Sequence, residues 1–288
     1  MKLFTLLRLF AVCWLLTFGM AHAESGELHT APQPLRLGIT PATARGQFSL
    51  LEAWRVYLER KLNHPVEFIF RERLQDSLTL LKQKKLDFVW LSSPAYIKNK
   101  QHTRLLVSPL YQGHPYDHAY LIVPASDQHT HALSDLKGKL FAYVDSTSNT
   151  GYLEPRYQLT QAGADPDQFF KLTFFTRDHL KVIAAVAIGL ADAGSVSGFA
   201  WETLALTRPD ITAQTRIVSQ SAAYGFPPIV ARRTLSPRDF TEMQQVLLEM
   251  SQDSAGIELL HLLNLDGFTP GDDASYLRTA QMMQRMGE

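Results

Sequence analysis

Short apolar segments alternate with amphipathic ones along most of this chain, and the alternation runs twice. The first series opens with Leu35–Ile39, a strand candidate. Gln47–Leu62 follows, with Leu51, Trp54, Leu58 and Leu62 on one helical face. Val66–Phe70 is rich in branched and aromatic residues, and Leu74, Leu78 and Leu81 mark a second helix. Leu86–Leu91 is an almost fully apolar strand, as expected inside a parallel sheet. Tyr120–Val123 is a further strand, ended by Pro124. After the polar stretch Ala125–Lys139 a second series begins. Leu140–Val144, Leu172–Phe175 and Ala191–Val196 read as its strands, with helices over Gly151–Gln161 and Asp178–Leu190. Arg216–Ser219 leads out of it. From Pro228 a strand precedes helices near Pro237–Met250 and Ser254–Leu263. Such alternation predicts parallel sheets covered by helices, and two series predict two similar lobes.

An internal similarity points the same way. The segment Asp87–Tyr96 can be laid over Asp192–Trp201, with Asp, Ser and Ala coinciding and an aromatic at each end. Each segment runs from a helix through a strand into a serine-containing loop. Chance similarity between two buried strands accounts for it equally well. If the repeat is real, both loops lie at the carboxyl ends of parallel strands, where open α/β sheets bind ligands.

The first residues read as an export signal. Lys2 and Arg8 give a positive start, Leu9 to Met20 is an apolar run too short to span a bilayer, and Ala21-His22-Ala23 supplies small residues for cleavage after Ala23. An uncleaved anchor and a lipoprotein cleaved at Cys13 are the alternatives. Phe10-Ala11-Val12 is a poor lipobox, which sets the second aside. Cleavage removes Cys13, the single cysteine, so a disulfide is excluded and stability must come from a packed core. Residues 24–34 read as a polar lead-in. Lys+Arg and Asp+Glu each number 28, so no basic excess points to nucleic acid. The ten histidines are scattered without metal-ligand spacing, and no metal or cofactor is expected.

The stretch most suggestive of chemistry is Asp145-Ser-Thr-Ser148-Asn149-Thr150-Gly151-Tyr152. A strand runs into short hydroxyl and amide side chains and then into a helix. Ser, Thr and Asn are strong N-caps, and a helix start attracts anions. Simple capping with no ligand satisfies the pattern too. No Gly-x-Ser-x-Gly, P-loop or Gly-x-Gly-x-x-Gly is present, so an enzyme has little support.

From Leu35 to about Met250 the chain resembles the phosphate, phosphite and phosphonate solute-binding proteins of ABC transporters. That family carries Asp-Pro-x-Ser-Thr-Ser-Gly-Tyr-Leu-x-Pro at this place; here Asp145, Ser148, Asn149, Thr150, Gly151, Tyr152, Leu153 and Pro155 take the matching positions. Asn149 and Thr150 depart from the usual pair. Leu86–Tyr96 matches a strand and loop whose tyrosine faces the ligand, Leu136–Ala142 matches the lead-in to the anion loop, and His179 falls where the family places a ligand-contacting histidine. The Ser-Gly-Ser usual before that histidine is Thr176-Arg177-Asp178 here, so an exposed helix-start histidine is an equal reading. Arg177 reads as a solvated surface residue that could also meet an anion.

The resemblance implies an α/β, two-lobed type II periplasmic-binding-protein fold with a hinge between two similar βα lobes. Lobe 1 is expected over 35–122 plus 222–288 and lobe 2 over 125–219, with crossings near Val123 and Ser219–Ala222. Ser148, Asn149 and Thr150 from lobe 2 should meet Tyr96, Ser92 and Ser93 from lobe 1 across a cleft. Tyr96 and Trp201 either wall that cleft or fill core; Trp90 reads as core. Tyr116, His118 and Tyr120 cluster near the hinge. The implied function is periplasmic capture of a small oxyanion (phosphate, phosphite or phosphonate-like) for a membrane permease. A sensory module feeding a membrane histidine kinase is the alternative, and a periplasmic enzyme a more distant one.

Overall fold

Apolar runs spaced by helical faces produce two sheets of the same plan. The computed structural model describes residues 33–39 and 48–288; the export signal, most of the lead-in and Gln47 lie outside them. In chain order the strands are β1 (Leu35–Ile39), β2 (Val66–Phe70), β3 (Phe88–Trp90), β4 (Thr103–Leu110), β5 (Tyr116–Asp117), β6 (Ala119–Pro124) and β7 (Leu140–Tyr143). Then follow β8 (Leu172–Phe175), β9 (Ala193–Ser197), β10 (Thr215–Gln220), β11 (Tyr224–Gly225), β12 (Ile229–Arg232) and β13 (Gly267–Pro270). One sheet has the order β2-β1-β3-β12-β4-β13 and the other β8-β7-β9-β6-β10. In each, the first three strands are parallel and the fourth is antiparallel to the third.

The fourth strand of each sheet comes from chain that has just crossed between lobes. The crossings are the short strands β5 and β11, which pair antiparallel at Asp117↔Tyr224 and Tyr116↔Gly225. This corrects the expected boundary: residues 119–122, read as the end of the first lobe, belong to β6 and pair with β9 and β10 of the second sheet. An apolar strand carries no mark of which sheet it joins, and the polar stretch after it resembled a connection. That stretch instead holds a short 3-10 turn, Leu133–Leu136, against the second core.

The internal repeat is physical. Asp87 Oδ2 accepts from the Arg36 amide at 2.9 Å, and Asp192 Oδ2 accepts from the Leu140 amide at 2.8 Å. Each aspartate thus ties the start of a sheet's third strand to the start of its second. Five residues on, Ser92 and Ser197 cap the following helices by accepting from the Ala95 and Ala200 amides. The two segments lie in separate sheets at equivalent points. Around the first sheet, Trp54 of helix Phe48–Leu62 packs edge-on to Trp90 and Phe68 within a core shared with Leu37, Ile39 and Phe88. Around the second, Val182 and Val186 of helix His179–Ala187 pack on Ile122, Ala142 and Val196.

Candidate functional site

The loops after β3, β7, β8 and β9 converge on a cavity of about 240 Å³ between the sheets, lined from both lobes and the crossing strands. All four loops leave the carboxyl ends of parallel strands, the end where α/β sheets bind ligands.

The loop after β7 is shaped by its own side chains. Asp145 Oδ1 accepts from the Thr147 amide at 2.9 Å and its hydroxyl at 2.7 Å, turning the chain. Ser148 Oγ then caps the next helix, accepting from the Gly151 amide at 3.0 Å. That helix opens with a π turn, Asn149–Leu153, and continues as Glu154–Gln161. Gly151 is required: a Cβ there would sit 2.3 Å from Val144 Cγ2. Ser195 Oγ donates to the Thr150 carbonyl at 2.5 Å and ties the turn to β9. The amides of Asn149 and Thr150 stand in the first turn, where a helix offers no internal acceptor. Ser148, Asn149 and Thr150 are all buried and all line the cavity. The buried Asn149 Oδ1 has no hydrogen-bond partner, and half a turn of that amide would put its NH₂ there instead.

His179 starts the helix after β8 and lines the same cavity. Its Nδ1 accepts from the Ser197 amide at 3.0 Å. An N–H donor at Nδ1 fixes the neutral tautomer with the proton on Nε2, so the ring presents a donor without a charge. Burial pushes its pKa down to about 4. The sign follows: the unfolded chain, with its histidine near 6.5, takes up the proton first. The stability that His179 provides is therefore complete above pH 6.5 and falls away as the pH drops toward 4. Between those values the protein should lose about 2 kcal/mol more than a His179→Gln variant in denaturant titrations. Parallel pH profiles for the two proteins would show that the ring is not held neutral. Arg177, just before, adopts φ +62° and keeps an exposed guanidinium on the cavity lining. It is the one arginine or lysine among the described lining residues.

From the first lobe, Ser92 Oγ donates to the Thr147 carbonyl at 2.7 Å, so the loops after β3 and β7 meet across the cleft. Ser93 Oγ donates to the Gly225 carbonyl at 2.9 Å, tying the same loop to β11. Both serines line the cavity. Tyr96 does not: its ring packs edge-on to Tyr276 in the first lobe's core and its hydroxyl donates to Asp273 at 2.5 Å. Trp201 packs edge-on to Tyr120, and its Nε1 donates to Thr215 Oγ1 at 3.0 Å inside the second lobe. Each lies within the helix that its serine caps, and its ring turns toward its own lobe's core. Trp90 is core as expected, yet it also edges the cavity, donating from Nε1 to the Pro227 carbonyl at 2.9 Å.

Sequence reasoning missed Asp117, Ser197, Phe199, Tyr224 and Phe226 on the lining. Ser197 was legible as the repeat partner of Ser92; the others carry no local motif. Asp117 is buried on β5, where its carboxylate accepts from Ser197 Oγ at 2.6 Å and from the amides of Phe199 at 3.1 Å and His118 at 2.8 Å. Burial raises its pKa. Of the expected hinge cluster, His118 Nδ1 lies 2.9 Å from the Ser221 carbonyl on the other crossing, and the Tyr120 hydroxyl donates to Glu202. Among the described residues, no helix is long and apolar enough to cross a membrane and no cluster of His, Cys, Asp and Glu could hold a metal ion.

Two sheets of one plan, joined by paired crossings with a donor-lined cleft between them, define a type II periplasmic-binding-protein fold. The chain belongs to the family described as ABC transporter, phosphonate, periplasmic substrate-binding protein, whose model matches residues 37–276. It is 23% identical over 279 residues to a probable ABC transporter phosphite-binding protein of Prochlorococcus marinus, covering 92% of this chain and 93% of that one. Among solved structures it is similar to the binding protein component of an ABC phosphonate transporter from Pseudomonas aeruginosa, with TM-score 0.79, 22% identity and coverage of 87% and 85% of the two chains. It is also similar to a Prochlorococcus marinus protein solved in complex with methylphosphonate, with TM-score 0.78, 20% identity and coverage of 89% and 99%. Membership makes the chain a substrate-binding protein and not an enzyme.

Proposed function

We propose that this chain captures a small phosphorus oxyanion in the cleft, a phosphonate ahead of phosphate or phosphite, and delivers it to the membrane permease of an ABC transporter. One observation carries the reading: Ser148, Asn149 and Thr150, at the first turn of a helix, and His179, whose Nε2 carries the ring proton, line one cavity. Neutral donors around an anion supply charge-assisted hydrogen bonds without the desolvation cost of burying a cation. Arg177 adds long-range attraction at the rim. Capture proceeds by closure about β5 and β11, with lobe 1 over roughly 33–115 and 226–288 and lobe 2 over 119–220. The inter-lobe contacts already made in this structure, Ser92 with Thr147, Asn264 Nδ2 to Thr203 Oγ1 at 2.8 Å, and Tyr111 with Glu202, are those that opening would break. Methylphosphonate comes into view through the solved relative that holds it. The chain would reach the periplasm by cleavage after Ala23, giving a mature form that begins at Glu24.

Protein recovered from the periplasm tests both parts. Its intact mass should match a chain starting at Glu24. A thermal-shift screen of methylphosphonate, phosphate, phosphite, sulfate and organic acids should single out a phosphorus oxyanion, which at 100 times its Kd adds about 2.7 kcal/mol of stability. Stabilisation by an organic acid alone would overturn the reading.

A further inference from the structure

We infer that the cleft prefers a phosphonate bearing a compact, uncharged apolar substituent over bare phosphate, phosphite or an aminoalkyl phosphonate; this rests on the oxyanion reading above. The first ground is space. The cavity measures about 240 Å³, and a single water needs about 10–15 Å³ of cavity. A five-atom oxyanion held by Ser148–Thr150 therefore leaves most of the volume unfilled.

The second ground is the wall around that remaining volume. Leu74, Trp90, Phe226 and Leu263 come from the first lobe's side and Leu180 and Phe199 from the second. Phe199 and Phe226 meet edge-on across the cleft with ring centroids 5.0 Å apart. Such a wall has no hydrogen bonds to offer the waters that would fill the space beside a bare oxyanion. Apolar ligand surface can replace those waters, and each methylene buried should tighten binding roughly fourfold.

The third ground is charge. Three carboxylates line the cavity. Asp117 already accepts three hydrogen bonds, and Asp145 accepts two from Thr147. Glu72 is exposed to solvent. Asp117, the one fully buried carboxylate among the described lining residues, has a hydrogen bond on each oxygen, Asp145 is half-buried with both of its bonds on Oδ1, and Arg177 would repel an ammonium group. A buried ammonium without a partner is strongly disfavoured, so an amine on the substituent should count against binding.

Calorimetry of the mature protein with phosphate, phosphite, methyl-, ethyl-, propyl- and 2-aminoethylphosphonate tests this. The affinity should rise roughly fourfold per carbon from methyl to propyl, and 2-aminoethylphosphonate should bind at least tenfold more weakly than ethylphosphonate. Leu180→Gln, at a partly exposed wall position, should flatten the alkyl series. Phosphate or phosphite binding tightest, or an amine that improves affinity, overturns the inference while the oxyanion site stands. Failure of every phosphorus compound to bind overturns both.

Discussion

Ser148→Ala should weaken methylphosphonate binding by a hundredfold or more, the largest loss expected from any single hydroxyl in the cleft. Ser148 has two tasks. Its oxygen accepts from the Gly151 amide at 3.0 Å and so holds the turn that presents the Asn149 and Thr150 amides. Its proton remains free to donate to the anion. A hydrogen bond to a charged group contributes about 1.5–3 kcal/mol, or roughly ten- to a hundredfold in affinity. Loss of an N-cap adds about 1 kcal/mol of disorder to the loop. Thr150→Ala removes a hydroxyl but no cap, because its structural tie runs through its carbonyl to Ser195; a ten- to hundredfold loss is expected. Asn149→Ala keeps the backbone amide and should cost less. Circular dichroism should show all three folded, and calorimetry gives the affinities. Unchanged affinity in both hydroxyl variants would mean that the loop only caps its helix.

Asp117→Ala should cost about 3 kcal/mol of folding stability and lower Tm by roughly 6–12 °C. The carboxylate takes a hydroxyl and two amides, from Ser197, Phe199 and His118, and thereby fastens a crossing strand to the helix that starts at Gly198. Removing it strands three donors, each worth about 1–3 kcal/mol when left unsatisfied; water entering from the adjacent cavity recovers part of the sum. Asp117→Asn keeps one acceptor oxygen and should lose about 1 kcal/mol. Denaturant titrations with equal slopes would check this, and a loss below about 0.5 kcal/mol for the alanine variant would show that the crossing is held elsewhere.

How legible this was in the sequence varied with how local each cause is. Strands such as Val66–Phe70 and Leu172–Phe175 match the sequence reading to the residue, because branched and aromatic runs flanked by helical faces admit one solution. The repeat of Asp87 and Asp192 was visible because one backbone tie is built twice. The strand Thr103–Leu110 escaped notice, since Ser108 and Pro109 interrupt its apolar run; only pairing with β12 and β13 makes it a strand. Tyr96 and Trp201 were placed at equivalent points correctly, but side-chain direction depends on Tyr276, Asp273 and Thr215, far away in the chain. The turn proposed to hold the anion was visible as a capped loop because its cap, its turn and its glycine are all within seven residues, Asp145–Gly151. Asp117 could not, because its partners come from β9 and the helix after it.

In the proposed complex the oxyanion sits on the turn between β7 and its helix. The most direct measurement is a crystal structure of the protein with methylphosphonate. Phosphonate oxygens are expected at about 2.7–3.2 Å from the Ser148 hydroxyl, the amides of Asn149 and Thr150, and His179 Nε2. A phosphonate bound elsewhere in the cleft, held by Arg177 at the rim with the Ser148–Thr150 turn bare, would contradict it.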